Sequence, residues 1–440
     1  MTGVSRRAFL NRTVMLGGGL LASSLATACG GSGGGQAVTS GKVQLDFWTH
    51  DPGYVKTFTE SARRLTAGSG TFDYTLKVTQ ADGEAVITRM ISAGAAGKGT
   101  PDLIGIIVSF FPRVMTGGIG KQLLQELDDI VAPVKQDLLR TAPYTIDGKV
   151  YALESDTCLS VQYYREDEYN KHGIPDDVDT WEELARLGAK LHDKTGKSLG
   201  MVGTGDNVAI TDQFLQLLLQ RGGAFFDDKG ALVLDSPEAV EVLDFMAKGV
   251  ASGFLLALPD PYGAPNTAAL KSGKLISTVM PNWYNVYGLQ TNVPEQKGSW
   301  RIRNLPRFAA GGHISSSLGG TGFAVLKDKP GTKAATELLK QTYLTREGQL
   351  LRFQKGGFLP TLRSLYADKE FLDTEDAYLG GQRLFDVYGP ASKDSPTFYQ
   401  NAKLNVLIEA LGGPALEAMQ GKRTAADAIK AAVAAYQKAA

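Results

Sequence analysis

From residue 43 onward the chain switches repeatedly between two hydrophobic periods, and this alternation restricts the fold more than any other feature. Val43, Leu45 and Phe47 alternate with Gln44, Asp46 and Trp48, the period of two that suits a strand. Tyr54, Phe58, Ala62 and Leu65 then recur at helical spacing. Phe72, Tyr74, Leu76 and Val78 alternate again, and Val86, Ile87, Met90 and Ile91 make a second helical face. Asp102-Leu103-Ile104-Gly105-Ile106-Ile107-Val108 is a nearly continuous apolar run, as expected for a strand covered on both faces. Strand, helix, strand, helix, strand predicts an α/β lobe with a largely parallel sheet. Ligands of such sheets bind beyond the carboxyl ends of the strands. That edge would carry Thr49-His50-Asp51, Gln80-Ala81-Asp82 and Ser109-Phe110-Phe111.

A second region begins near Lys149–Leu153. Thr180-Trp181-Glu182-Glu183 has the form of a capping box, with Thr180 capping a helix and Glu183 bonding back. Asp212 to Leu219 reads as a helix stopped by Gly222-Gly223. Ser236-Pro237-Glu238 opens another, with a cap, a first-turn proline and an acid near the positive helix end. Lys333 to Tyr343 reads as helix, Thr345-Arg346-Glu347 starts the next, and the alanine-rich tail from Ala425 is a docked terminal helix. About 410 residues after the leader are too many for one ordinary core and call for two lobes.

The leader itself is informative. Arg6-Arg7, with Phe9-Leu10 behind them, precede an apolar stretch that ends in Ala26-Thr27-Ala28-Cys29. This is a charged segment, a short apolar segment and a small-residue cleavage site. It resembles a twin-arginine export signal, and the cysteine after Ala-Thr-Ala resembles the lipid-accepting residue of a bacterial lipoprotein. Residues 13–28 supply about 16 positions with three glycines, short of the roughly 20 apolar residues of a membrane-spanning helix. The expected organisation is a cleaved signal at 1–28, then a lipidated flexible linker at 29–41 carrying Gly30–Gly35. The mature protein would be extracytoplasmic, lipid-anchored through Cys29 to the outer face of the cell membrane.

Several chemistries are excluded. The chain has 46 basic and 46 acidic residues, and loss of 1–28 removes Arg6, Arg7 and Arg12 but no acid, which argues against a nucleic-acid partner. After Cys29 only Cys158 remains, so neither an internal disulfide nor a cysteine zinc site can form. Cys158 lies in an apolar-rich stretch and reads as a buried small side chain. His50, His172, His192 and His313 lack metal-ligand spacing. Gly97-Lys98-Gly99-Thr100 fails as a phosphate loop, because Ser92 stands at the first glycine position and Gly99 where Ser or Thr must hold the metal. No GxSxG elbow is present. No cofactor, metal or enzymatic activity is expected.

Eight segments, in order along the chain, carry a family resemblance. They are Leu45–Thr49, Gly99–Leu103, Asp147–Leu153, Tyr163–Asp167, Thr180–Leu184, Ser272–Lys274 with Met280–Trp283, Gly319–Val325 and Gly356–Pro360. Together they resemble the extracellular solute-binding proteins of bacterial ABC importers, the group that includes the maltose-binding proteins. The resemblance implies a two-lobed periplasmic-binding-protein fold, type II-like, each lobe a central sheet flanked by helices. Lobe 1 would comprise 42–152 and 305–345, and lobe 2 153–304 and 346–440. Crossings are expected near Tyr151–Glu154, Asn304–Arg307 and Tyr343–Gly348.

It further implies a monomer that captures a carbohydrate in an interlobe cleft, closes by hinge motion and presents it to membrane permease subunits. The same machinery could serve a glycerophosphodiester, polyamine or peptide, and a secreted glycoside-active enzyme is the remote alternative. Sugars suit aromatic platforms combined with planar hydrogen-bonding side chains. Trp283, between Asn282 and Tyr284, is the candidate platform. His50, Asp51 and Asp82 end the first two strands, and Glu154 and Asp156 follow the first crossing. Gly319 and Gly320 would let the backbone approach the ligand, and Phe358 and Tyr399 complete the candidate set. Trp48 and Trp181 read as packing residues. Arg113, close behind Phe111, is the one basic side chain near the expected ligand edge.

Overall fold

The computed structural model describes residues 36–68 and 70–440. Arg6, Arg7, Cys29 and the rest of the leader lie outside the described residues, as does the linker up to residue 35. Among the described residues no helix is long and apolar enough to cross a membrane.

The expected alternation is present. Strand Gly41–Thr49 pairs in parallel with Phe72–Gln80 on one side and Leu103–Ile107 on the other. Thr321–Val325 and Leu153–Glu154 complete this five-stranded sheet; Thr321–Val325 alone is reversed, pairing antiparallel with Leu103–Ile107 and with Leu153–Glu154, so four of the five strands run the same way and the largely parallel expectation holds. Its core explains the period-two pattern. Leu45 and Phe47 are fully buried, and the ring of Phe47 lies 4.7 Å from that of Phe58 on helix Pro52–Ala67. Phe323, from the distant strand, sits 4.8 Å from Phe58. Such close aromatic pairs favour tilted and edge arrangements and add to area burial.

A second, three-stranded sheet places Ser160–Arg165 between Ser277–Pro281 and Trp300–Arg303, all antiparallel. Beside it Gly200–Gly203 and Leu255–Leu258 form a parallel pair. Helices Trp181–Thr195, Asn207–Arg221, Pro237–Ala251, Leu404–Met419 and Ala425–Ala439 contribute to one large apolar cluster through Leu184, Phe214, Leu243, Leu411 and Ile429. The terminal helix docks as expected, with Ala428, Ile429, Ala432 and Tyr436 buried.

Local chemistry sets the helix ends. Thr180 accepts from the Glu183 amide at 3.3 Å. The Glu183 side chain does not return to the cap, correcting the capping-box reading; it forms a two-pronged pair with Arg186 one turn on, at 2.5 and 3.0 Å. Helix Asn207–Arg221 begins five residues earlier than its apolar pattern suggests, because Asp206 caps it through the Ala209 amide at 2.8 Å. Ser236 and Thr345 cap the helices they open. Trp48 and Trp181 pack in the interior, the latter donating to Gln220 Oε1 at 2.9 Å.

Three segments connect the two sheets. The chain leaves Leu153–Glu154 and reaches Ser160 through 155–159. It returns from Arg303 to Thr321 through 304–320. These two segments lie side by side, joined by Ser155 N–H to Thr321 O and Ser160 N–H to Ser316 O, both at 2.8 Å, and by a bridge between Leu159 and Ser317. The third runs through Gly357–Thr361, leading from helix Arg346–Gly356, which packs on helix Pro52–Ala67, to Leu362 and Leu365 in the core of the second sheet.

Candidate functional site

The side-by-side connecting segments form a floor, and the candidate residues distribute around it. On the floor itself, Gly319 and Gly320 have φ of +72° and +117°. A Cβ at Gly320 would stand 2.6 Å from Glu154 Oε1 and 3.0 Å from Arg140 Nη1, so side chains are excluded twice over, by backbone angle and by space. Beneath it, Glu154 is buried with Arg140 Nη1 at 3.5 Å, while Arg140 Nη2 donates to Gly319 O at 3.0 Å. Burial pushes the Glu154 carboxyl up to about 7, with Arg140 opposing the shift.

Asp156 ties the first segment to the third and to Asn282. Its Oδ2 accepts from Asn282 Nδ2 at 2.7 Å, and its Oδ1 accepts from the amides of Cys158 at 3.1 Å and Leu359 at 3.2 Å. Cys158 is fully buried, as its apolar surroundings suggest, and burial holds its thiol well above the usual range.

The wall on the second-sheet side is aromatic. Trp283 is half-buried and donates its indole N–H to Leu318 O at 3.3 Å. Its ring lies beside Gly319 and 6.1 Å from that of Tyr262, which is 41% exposed. Asp212, on helix Asn207–Arg221, belongs to the same wall, close to Tyr262 and over Leu318 and Gly319. A cavity of about 90 Å³ lies between Asp212 and Thr211 on this side and Ile107–Ser109 at the end of the first-sheet strand, floored by Ser317–Gly319. Enclosure raises the Asp212 carboxyl from its ordinary 3.8 to about 7, with Asp206 adding to the shift.

On the first-sheet side His50 is half-buried, its ring edge-on to Tyr54 at 5.7 Å and its Nδ1 without a partner. Burial lowers its pKa to about 4 against the pull of Asp82, so the imidazole is neutral at pH 7. Asp51 and Asp82 act as helix caps. Asp51 accepts from Gly53 N–H, and Asp82 from the amides of Glu84 and Ala85 at 2.9 and 3.2 Å. Asp82 keeps its exposure and one free oxygen, whereas Asp51 is buried. Arg113, the basic group expected near this edge, is neutralised by Glu84 at 3.1 Å.

The structure thus brings Trp283, Gly319, Gly320, Glu154, Asp156 and Asn282 together around the floor, and His50 with Asp82 at the strand ends. Three candidates lie elsewhere. Tyr284 is buried in the second core, its hydroxyl accepting from Asn266 Nδ2 at 2.7 Å. Phe358 is buried in the first core, stacked on Tyr54 at 4.5 Å. Tyr399 lines a different, larger cavity. Arg140, Asp212 and Tyr262 join the site without having been singled out in the sequence; Asp212 stood there only as the start of a helix. Among the described residues no group of acidic, histidine or cysteine side chains could hold a metal ion.

A family model described as bacterial extracellular solute-binding protein matches residues 53–377. An arabinooligosaccharide-binding protein of Halalkalibacterium halodurans is 28% identical over 355 residues, 79% of this chain and 78% of that one. A lactose-binding protein of Rhizobium radiobacter is 25% identical over 323 residues, covering 70% and 71%. Among solved structures, the cyclic alpha-maltosyl-1,6-maltose binding protein from Arthrobacter globiformis superposes with a TM-score of 0.75 at 20% identity, over 90% of this chain and 98% of that one. The GacH receptor of Streptomyces glaucescens gives 0.70 at 20% identity, over 91% and 98%. These likenesses show the fold: two α/β lobes of the periplasmic sugar-binding type.

Proposed function

The chain belongs to the bacterial extracellular solute-binding proteins, and on that premise we propose that it is the substrate-binding component of an ABC-type importer for a carbohydrate. The family places it outside the cytoplasm as a binding protein of a transporter. The mono- or oligosaccharide would lie in the seam between the Trp283 wall and the ends of the strands at His50, Asp82 and Ser109, over the Gly319–Gly320 floor. Hinge closure at the three connecting segments would enclose it and present the closed form to the permease. We place the third hinge at 357–361, so that helix Arg346–Gly356 moves with the first lobe on which it packs. The membrane tether at Cys29, the twin-arginine export route and the monomeric state belong to the same reading.

One observation carries the carbohydrate assignment. Trp283 has its indole N–H satisfied by Leu318, leaving a partly exposed ring beside the exposed Tyr262, on the wall that also carries Asp212, whose carboxyl burial raises to about 7. Apolar ring faces of sugars stack on such a surface while their hydroxyls reach carboxyl and amide groups. Arabinose, lactose and maltose oligosaccharides, the ligands named for its relatives, are the first to test. Calorimetric titration of the purified protein should give saturable binding to one sugar series and none to glycerophosphodiesters, polyamines or peptides. Binding confined to one of the latter would replace the ligand class.

A further inference from the structure

A cavity of about 990 Å³ lies behind the floor of the sugar seam, with Ser317, Phe398 and Gln400 as the wall common to both. Its rim carries Lys135, Lys229, Arg363 and Lys393, none of which forms an ion pair among the described residues. Lys121, also on the rim, is neutralised by Asp147, and Asp228 is the single unpaired acid. An exposed lysine alone means little. Four uncompensated cations around one concavity repel each other and create a positive potential that low-dielectric walls focus.

The inner wall adds an independent observation. Arg140 lines this cavity at 8% exposure. Its guanidinium donates to Gly319 O at 3.0 Å, meets the Cys158 thiol and stands 3.5 Å from Glu154. Burial pushes the Glu154 carboxyl up to about 7, so the guanidinium charge is only partly offset from within the wall and adds to the positive potential of the rim. Hydroxyls of Thr141, Ser395 and Tyr399 supply further donors around the same space.

We propose that this cavity is a second binding site, separate from the sugar seam, for an oxyanion of the phosphate class. Arg363 and Lys393 hold it at the rim and Arg140 faces it from the inner wall. Tyr399 then serves the anion and not the sugar. The site does not depend on what the seam binds.

The test is calorimetric titration of inorganic phosphate into the purified full chain, at ionic strength held constant with chloride. The expected result is saturable one-to-one binding that weakens by about tenfold or more in the Arg363→Ser, Lys393→Ser double variant. Both positions are exposed, so the variant should fold; its unfolding midpoint checks this. No saturable binding by the native chain, or equal binding by the two proteins, would overturn the proposal. So would association with phosphatidylglycerol vesicles without binding of free phosphate, which would make the basic rim a membrane-facing surface and not a site. A change in sugar affinity alone, with phosphate binding intact, would also count against it.

Discussion

Asp156 accepts a 2.7 Å hydrogen bond from Asn282, and through this one pair the first connecting segment is fastened to the residue beside the Trp283 platform. The same carboxylate takes the amide of Leu359 from the third segment. Truncation by Asp156→Ala would leave three buried donors unpaired, on Asn282, Cys158 and Leu359. The expected cost is about 3 kcal/mol of folding stability, measured by urea denaturation. A loss below about 0.5 kcal/mol would mean that water replaces the carboxylate without strain.

Gly320→Ala tests the floor. Its φ of +117° is accessible to glycine alone, and a methyl group would press on Glu154 and Arg140. Destabilisation of roughly 2–4 kcal/mol is expected from the combined backbone strain and disruption of the buried ion pair. Gly311→Ala is the comparison. It also has a positive φ but meets no atom within 4 Å, so only the backbone part should appear, roughly 1–2 kcal/mol.

The stability of the protein should also carry the signature of Asp212. Its carboxyl holds its proton to about pH 7 in the folded chain, while the unfolded chain releases it near 3.8. Between these values the unfolded state binds fewer protons, so stability falls as pH rises. Below 3.8 the contribution vanishes, and above about 7 it is constant. Asp212→Asn removes it. The gap in urea midpoint between variant and native protein should widen in favour of the variant from pH about 4 to about 7 and then level off. His50, lowered to about 4, imposes the opposite slope between 4 and 6.5 in both proteins and cancels in the comparison. A gap independent of pH would show that Asp212 is solvated in the folded state.

What could be read in the sequence follows from the range of the forces involved. Caps and periods are local: Thr180, Ser236 and Thr345 act within three residues, and Leu45 and Phe47 reveal the buried face of their own strand. The site is non-local. Arg140 and Glu154 meet because two chain passes fold over each other, and Asp212 becomes a cleft residue only when its helix faces Ile107–Ser109. Asp51 and Asp82 illustrate a second limit, since an aspartate at a strand end is equally suited to cap the next helix or to meet a ligand, and both cap. Neighbouring aromatics mark a third. Nothing in the order Trp283-Tyr284 says which ring faces the seam and which the core.

That last ambiguity is also the sharpest test of the site. Trp283 is half-buried beside Gly319, whereas Tyr284 is 1% exposed and spends its hydroxyl on Asn266. Trp283→Ala removes the platform and should weaken carbohydrate binding by roughly 10- to 100-fold, an aromatic contact of about 1.5–3 kcal/mol. The unfolding midpoint should also fall, by the equivalent of about 1–2 kcal/mol, because the ring packs partly on the second core and gives a hydrogen bond to Leu318. Tyr284→Phe should lower stability alone. Loss of the hydroxyl leaves the buried Asn266 amide without its acceptor, at a cost of about 1–2 kcal/mol of stability, with carbohydrate affinity within about twofold of the native value. Calorimetry and urea denaturation on both variants separate the two effects. Equal loss of affinity in both would mean that Tyr284, and not Trp283 alone, meets the ligand.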